Sequence, residues 1–234
     1  MTDIHTHILP GIDDGANNTE ISIKMLDTQQ NQGVDNIVLT PHFYRRRENP
    51  ESFFKRRSEA FNQLSEALDK ENRDFPNLYL GAELAMAPNI SLWDELPLFC
   101  IEGTENLLLE MPFTPWNKET LRQIYGIINR GITPIFAHLE RYISDQRPEF
   151  IEEIFSMGMP VQVSSTPILH FAKRKTVKNF IKNGWAHIMA SDCHNMDSRL
   201  PNLPQGLDMV KKLYGEETAR IMDENDQSIL PQIQ

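Results

Sequence analysis

Residues 118–139 read KETLRQIYGIINRGITPIFAHL. Apolar residues recur at helical spacing through Ile124 and Ile127, and the run predicts a helix over Lys118 to Arg130. Gly131 stops it, because the residue after a helix often needs positive φ. The strand Thr133 to Leu139 (TPIFAHL) follows. The same unit recurs downstream. A helix near Pro148 to Met157 stops at Gly158 and leads to the strand Pro160 to Ser164. A helix near Lys173 to Asn183 stops at Gly184 and leads to the strand His187 to Ser191. A last helix carries Leu207, Val210 and Leu213 and stops at Gly215.

Upstream the same alternation holds. Asp3 to Leu9 is a first strand, followed by a helix from about Asn18, with Thr19 as N-cap and Gly33 as stop. Asn36 to Thr40 is a buried strand ended by Pro41. The next helix takes Asn49 as cap and Pro50 as first residue. Leu78 to Leu84 and Asn106 to Met111 are the third and fourth strands. Strands alternating with helices imply a parallel sheet. About seven such units predict a single-domain α/β chain, a distorted (β/α)7 barrel related to the eightfold TIM barrel. The domain is expected to span residues 1–234, with the polar tail after about Asp223 loosely held.

The 234 residues are 40% hydrophobic, enough for a sizeable core without a disulfide framework, and the two cysteines, Cys100 and Cys193, are too few to supply one. Met1 to His7 shows no basic region leading into an apolar run, so no signal peptide is expected. No stretch of about 18 apolar residues occurs, so an integral membrane protein is not expected. The cytoplasm is the default location. A net charge of −10 argues against nucleic acid as a partner. Basic residues do cluster at Arg45, Arg46, Arg47, Lys55, Arg56 and Arg57, a pattern that usually marks a solvated face.

The chemistry is carried by where the histidines fall. His5, His7, His42, His138 and His194 sit at or just past the C-terminal ends of predicted strands, the end at which parallel barrels build their sites. Asp13 and Asp14, Glu83, Glu110 and Asp192 occupy matching positions. A strand sends alternate residues to one face, so His5 and His7 point together, as do Asp192 and His194. A lone strand-end histidine is more often a satisfied polar residue than a ligand, and H-x-H alone is a weak motif. Nearly every strand ending in His, Asp or Glu is a different matter, and it predicts a metal centre. His170 and His187 fall outside the pattern.

The segments DIHTHILPGIDDG from Asp3, TPH from Thr40, GAE from Gly81, LLEMPF from Leu108, HLER from His138 and ASDCHN from Ala190, with Arg199 beyond, resemble the PHP family of polymerase-and-histidinol-phosphatase domains. More narrowly they resemble its CpsB/YwqE-type branch of metal-dependent protein-tyrosine phosphatases, found in Gram-positive capsule and exopolysaccharide systems. The resemblance runs from Met1 to about Gly215. It implies the PHP fold and three divalent metals, manganese first, with zinc or iron as alternatives that oxygen and imidazole ligands also fit. Carried over by position, His5, His7, Glu83 and Asp192 hold the first metal. Glu83, Glu110 and His138 hold the second, and Asp14, His42 and His194 the third. Asp14 is preferred to Asp13 because adjacent residues usually point apart. Four carboxylates facing three divalent ions leave a positive centre, suited to a hydroxide and a phosphate monoester. Such metals supply hydroxide at neutral pH and clamp the attacking and leaving oxygens. Arg141 and Arg199 match the family's phosphate-binding arginines.

The resemblance further implies a tyrosine-phosphorylated protein as substrate, namely the C-terminal tail of a bacterial tyrosine kinase. The alternatives are a small-molecule phosphatase acting on histidinol phosphate, or a non-catalytic regulator that binds a kinase tail. Two places depart from the family pattern: Leu139, where H-P-E-R is usual, and Ser164 to Pro167. Cys193 and Arg199 also form a C-x5-R spacing. No glycine lies between them and Asp197 would repel phosphate, so the spacing reads as coincidence and Cys193 as an inert thiol turned from the metals. Phe43, Tyr44, Phe113 and Trp116 read equally as an aromatic wall for a tyrosyl ring or as core. Arg45 to Arg47, just past His42, border the expected site mouth.

Overall fold

The computed structural model describes residues 1–231. Its elements run β1 (Thr2–Thr6), α1 (Thr19–Asn31), β2 (Asn36–Leu39), β3 (His42–Phe43), α2 (Pro50–Lys70), β4 (Asn77–Leu80), β5 (Glu83–Ala85), β6 (Asn106–Glu110), α3 (Lys118–Ile128), β7 (Thr133–Phe136), α4 (Pro148–Ser156), β8 (Gln162–Ser164), α5 (Ser165–Leu169), α6 (Arg174–Lys182), β9 (Ile188–Ala190), α7 (Leu203–Tyr214) and α8 (Glu216–Ser228). Every strand pairing is parallel. The sheets are β1-β2-β4, β3-β5-β6-β7 and β8-β9. Isolated parallel bridges join Thr6 to Cys193 and Phe136 to Val161.

The seven expected strands thus appear as nine among the described residues. The second is broken at Thr40–Pro41, where proline brings no N–H to a ladder. The third is broken at Gly81–Ala82. After each break the chain pairs again, His42 opposite Glu83 and Ala85 opposite Glu110, so the breaks carry site residues past the first sheet. The unit after Glu83 has no α-helix; short 3-10 turns at Ile90–Leu92 and Leu96–Phe99 replace it.

Helix starts follow local chemistry. Asn18, not Thr19, caps α1, its side chain accepting from Ile21 N. Asn49 caps α2 by accepting from Ser52 N, with proline in the first turn. Asn117 and Thr120 form a reciprocal capping box on α3. Gly131, Gly158 and Gly184 end their helices at positive φ.

One buried cluster packs Ile37, Leu39, Leu109, Phe136, Val163 and Met189 of the strands against the helices, including Met25, Ile124, Val177 and Val210. A second gathers Ile4, Val38, Leu108, Ile135, Ile188 and Ala190 from the strands with Ile229 and Leu230. That second cluster corrects the reading of the C-terminal tail. Residues after Asp223 continue as α8 to Ser228, Asp226 is buried, and Ile229 and Leu230 pack on strand residues. Burial of those two apolar side chains outweighs the polar composition of the helix before them. Residues 232–234 lie outside the described residues.

Candidate metal centre

The strand ends deliver their side chains to one place. His5 comes from β1 and His7 from just past it; His42 begins β3, Glu83 begins β5 and Glu110 ends β6. His138 follows β7 by two residues and Asp192 follows β9 by two, and both adopt left-handed backbone, φ 31° and 53°. Such conformations are costly away from glycine and cluster at functional sites. Four groups of side chains each place ligand atoms within 4.8 Å of one another: His7, Asp14, His42 and His194; His5, Glu83 and His138; His5, His7 and Asp192; and His42, Glu83 and Glu110. All nine residues singled out in the sequence as ligands are in this cluster. The groups differ from the carried-over sets: His7 joins Asp14, His42 and His194, Glu83 is absent from the group of His5, His7 and Asp192, and the Glu83, Glu110 and His138 set is split, with Glu110 meeting His42 and Glu83 while His138 Nε2 lies 2.6 Å from Glu83 Oε1.

Hydrogen bonds fix which nitrogens are bare. Gln162 Oε1 accepts from the backbone N–H of His138 at 2.8 Å, so the His5 Nδ1 lying 3.2 Å away donates to the same oxygen. His7 Nδ1 donates to Asp13 Oδ2 at 2.8 Å, and His194 Nδ1 to the Asp192 carbonyl at 3.0 Å. In each neutral ring the Nε2 then carries only a lone pair. Yet His5 Nε2 and His7 Nε2 face each other at 3.2 Å. Both also face Glu83 Oε2, at 3.2 and 3.3 Å, and Asp192 Oδ1, at 3.5 Å each. Glu83 Oε2 and His194 Nε2 are buried without a well-directed hydrogen bond. Acceptors converging on acceptors repel unless a cation, proton or metal, lies between them. The donor set therefore fits metal ions.

The charges within the cluster tell the same story. Burial opposes ionisation of Glu83, but His5, His42 and His138 hold its carboxyl well below the usual range. Burial opposes a charge on His42 too, and Glu83 and Asp14 nevertheless push it up to about 11. For His7, Asp13 likewise overrides burial and raises the imidazole. Burial leaves His138 down at about 4 and His194 at about 3. Glu110 is raised by burial and by the Glu83 charge. Protons and metal ions compete for the same lone pairs here.

Asp13 and Asp14 divide their labour. Asp14 Oδ1 lies 3.4 Å from His42 Nε2 and 3.6 Å from His194 Nε2. Asp13 instead orients His7 and accepts from the backbone of Gly15 and His42. The turn needs Gly15, because a Cβ there would lie 2.1 Å from the His7 carbonyl oxygen. Asp13 was read in the sequence only as an alternative ligand, and two further orienting groups were missed there: Gln162, and Tyr142, whose hydroxyl lies 3.0 Å from His138 Nδ1 and 3.4 Å from Glu110 Oε1. A glutamine between valines on a buried strand was the available signal for Gln162. Partners of this kind hold a histidine's tautomer and aim.

Arg141 and Arg199 both reach the cluster. Arg141 pairs with Asp192 Oδ2, and Arg199 Nη2 donates to Asp192 Oδ1 at 2.7 Å. Leu139 is buried at the start of the 3-10 turn that carries Arg141. Ser164 ends β8, and residues from Ser165 form α5. Cys193 is fully buried and turned toward α1, where Gln29 Nε2 donates to its sulfur at 3.4 Å. Burial, then the Asp3 charge, push its thiol far above the usual range. Burial away from the cluster and a raised thiol both argue against a thiolate nucleophile there. The aromatic residues split: Phe43 and Trp116 belong to the core, while Tyr44 and the exposed Phe113 line a cavity beside Glu110.

Fold and cluster together define an α/β protein with a cluster of candidate metal ligands at its strand ends. The chain belongs to the CpsB/CapC family of capsular polysaccharide synthesis, whose model it matches over residues 1–231. It is 32% identical to the tyrosine-protein phosphatase CpsB of Streptococcus agalactiae serotype III, over 98% of both chains. It is 29% identical to the tyrosine-protein phosphatase YwqE of Bacillus subtilis, over 98% of this chain and 91% of that one. A solved structure described as YwqE from Bacillus subtilis and CpsB from Streptococcus pneumoniae, unique metal-dependent tyrosine phosphatases, superposes with a TM-score of 0.86 at 27% identity. That match covers 100% of this chain and 96% of the solved one. No helix of the described residues is long and apolar enough to cross a membrane.

Proposed function

We propose that this chain is a metal-dependent phosphatase that hydrolyses phosphotyrosine on protein substrates. The observation that carries the reading is the meeting of bare imidazole nitrogens and carboxylates with two guanidiniums at Asp192. The relatives' activity favours phosphotyrosine over histidinol phosphate and over a non-catalytic role.

His5, His7, Asp14, His42, Glu83, Glu110, His138, Asp192 and His194 are the residues that would hold the metals. We assign three divalent ions, manganese by preference. When bound, such ions supply an activated water at neutral pH and offset the phosphate's charge. The chain's own groups do the rest. Asp13, Gln162 and the Asp192 carbonyl keep His7, His5 and His194 in the tautomer that presents Nε2. Arg141 and Arg199, held at the cluster by Asp192, present N–H groups to the phosphate oxygens and stabilise charge that develops there. The partner we assign is a tyrosine-phosphorylated protein, the tail of a bacterial tyrosine kinase.

We also infer that the strands close into a distorted seven-stranded barrel. Hydrogen bonds from His7 N to Cys193 O and from Asp192 N to His5 O join the first strand to the last, each at 2.9 Å. Residues of β1, β2, β6, β7 and β9 share the second apolar cluster, as strands surrounding one interior would.

The test is direct. Metal-stripped protein reloaded with manganese should hold about three ions per chain by elemental analysis, and it should turn over phosphotyrosine peptides well ahead of phosphoserine ones. At most one tightly held ion would sink the three-metal assignment. A loaded, folded enzyme inactive on phosphotyrosine would sink the function.

A further inference from the structure

Two cavities open beside the centre, of about 560 and 570 Å³, and Tyr44 and Arg47 line both. They differ in character. The second is walled by Asp13, Asp14 and Glu48, and its Arg56 is already paired to Glu48 at 2.7 Å. Asp14 and His42 belong to the proposed metal centre, Asp13 holds His7 and Arg56 is spent on Glu48, so only Arg47 is left there to meet a peptide's acidic side chains. The first reaches Glu110 at one end and is walled by Met86, Pro88, Pro112 and Phe113. Phe113 is 68% exposed, a large apolar ring left at a cavity wall.

Arg45, Arg46 and Arg47 border this first cavity. No carboxylate pairs with any of the three among the described residues. Their guanidiniums lie over aromatic rings instead: Arg45 is 5.0 Å from the Trp93 centroid, and Arg46 and Arg47 are 5.8 and 4.4 Å from that of Tyr44. Ring faces steady a guanidinium without neutralising it. In a chain of net charge −10, three adjacent unpaired arginines reverse the local sign.

We propose that this cavity is a specificity subsite for the peptide around the phosphotyrosine. The tyrosyl ring lies between Tyr44 and Phe113, and an acidic side chain next to the phosphotyrosine engages Arg45 and Arg46. The inference rests on the phosphatase reading. It adds that the enzyme selects phosphotyrosine flanked by Asp or Glu. Exposed ion pairs are individually weak, so two of them predict a preference of roughly 3–10-fold, weakening with salt.

The experiment uses two phosphotyrosine peptides identical except that Asp and Glu flanks become Asn and Gln, with p-nitrophenyl phosphate as a substrate that has no flanks. Manganese-loaded protein is assayed for turnover, and peptide binding is read by fluorescence anisotropy. The expected wild-type result is tighter binding and lower KM for the acidic peptide. Arg45→Ala/Arg46→Ala should erase the difference, and Arg45→Glu/Arg46→Glu should invert it toward a Lys-flanked peptide. Both pairs are exposed, and circular dichroism verifies their folding. Equal binding of the two peptides by the wild type, or a preference that survives both double variants, overturns the subsite. Absence of turnover on all substrates, p-nitrophenyl phosphate included, overturns the phosphatase reading instead, and the anisotropy comparison still decides the subsite.

Discussion

Asp13→Asn tests the residue that orients His7, one of the proposed ligands. Asp13 Oδ2 accepts from His7 Nδ1 at 2.8 Å and from His42 N at 3.0 Å, while Oδ1 accepts from Gly15 N at 2.9 Å. All three partners are donors, and asparagine offers only one acceptor oxygen. With that oxygen toward His7, the new NH2 meets the Gly15 N–H, at a cost of about 1–3 kcal/mol for buried unpaired groups. With the amide flipped, NH2 meets His7 Nδ1, and the ring proton must move to Nε2, where it blocks the ligand lone pair. Either way the carboxylate that raises the basicity of His7 is gone. Loss of such a partner weakens metal affinity or activity by roughly 10–100-fold, which is about 1.4–2.8 kcal/mol. Calorimetric titration of metal-stripped Asp13→Asn with manganese should show that loss, with kcat falling in step at limiting metal. Wild-type affinity and wild-type turnover together would refute the orienting role.

Arg141→Ala and Arg199→Ala should each lower kcat/KM by roughly 10²–10³-fold, as when a donor to transition-state charge is removed, with metal content unchanged; wild-type kinetics in either would return that arginine to the surface. Cys193→Ser should keep most of its activity, and iodoacetamide should inhibit poorly while chelation inhibits fully; a dead, folded, metal-loaded Cys193→Ser enzyme would restore a cysteine nucleophile. Asp226 is fully buried with no well-directed hydrogen bond to its carboxylate, and burial, then Asp3 and Asp223, raise its pKa well above the usual range against a weaker opposing pull from the Met189 backbone. A carboxyl whose folded pKa is raised supports the fold below its unfolded value and loses that support as pH rises through the folded one. Asp226→Asn should therefore unfold at higher temperature than wild type at neutral and alkaline pH. The advantage should shrink toward acid, changing by up to about 1.4 kcal/mol per pH unit; a pH-independent difference would refute it.

The convergence of the nine candidate ligands was legible because its signals are local. A strand end is marked by a few apolar residues, and alternation then says which neighbours point together, as His5 and His7 do toward Glu83 and Asp192. Cys193 followed from the same rule. What binds the ligands in place was less legible, because it depends on which strands meet. Gln162 serves His5 across 157 positions and His138 across 24. The helix α8 was hidden by composition: EETARIMDENDQS reads as solvated, Met222 is its one buried apolar side chain, and Ile229 and Leu230 lie just beyond its end. Gly15 was visible only as part of a motif; its necessity comes from the His7 backbone packed against it.

The two left-handed ligands show how the parts depend on each other. His138 leaves β7 at φ 31°, and its N–H is caught by Gln162 Oε1, the oxygen that also fixes the tautomer of His5. Asp192 leaves β9 at φ 53°, and its N–H is caught by the backbone carbonyl of His5 itself. Each such backbone conformation costs of order 1–3 kcal/mol, and it persists only where the surroundings over-determine it. Here the over-determining groups are ligands or the residues that orient them. The conformation at His138 is thus held by the side chain that bares the His5 nitrogen, and that at Asp192 by the His5 backbone, with His138 facing Glu83 and Asp192 facing Arg141 and Arg199. A short apolar strand alone would have sent the residue at 138 to the face of Phe136, which packs in the helix-side core. Reversing that direction at the strand's end brings His138 to Glu83 and into the cluster of candidate ligands.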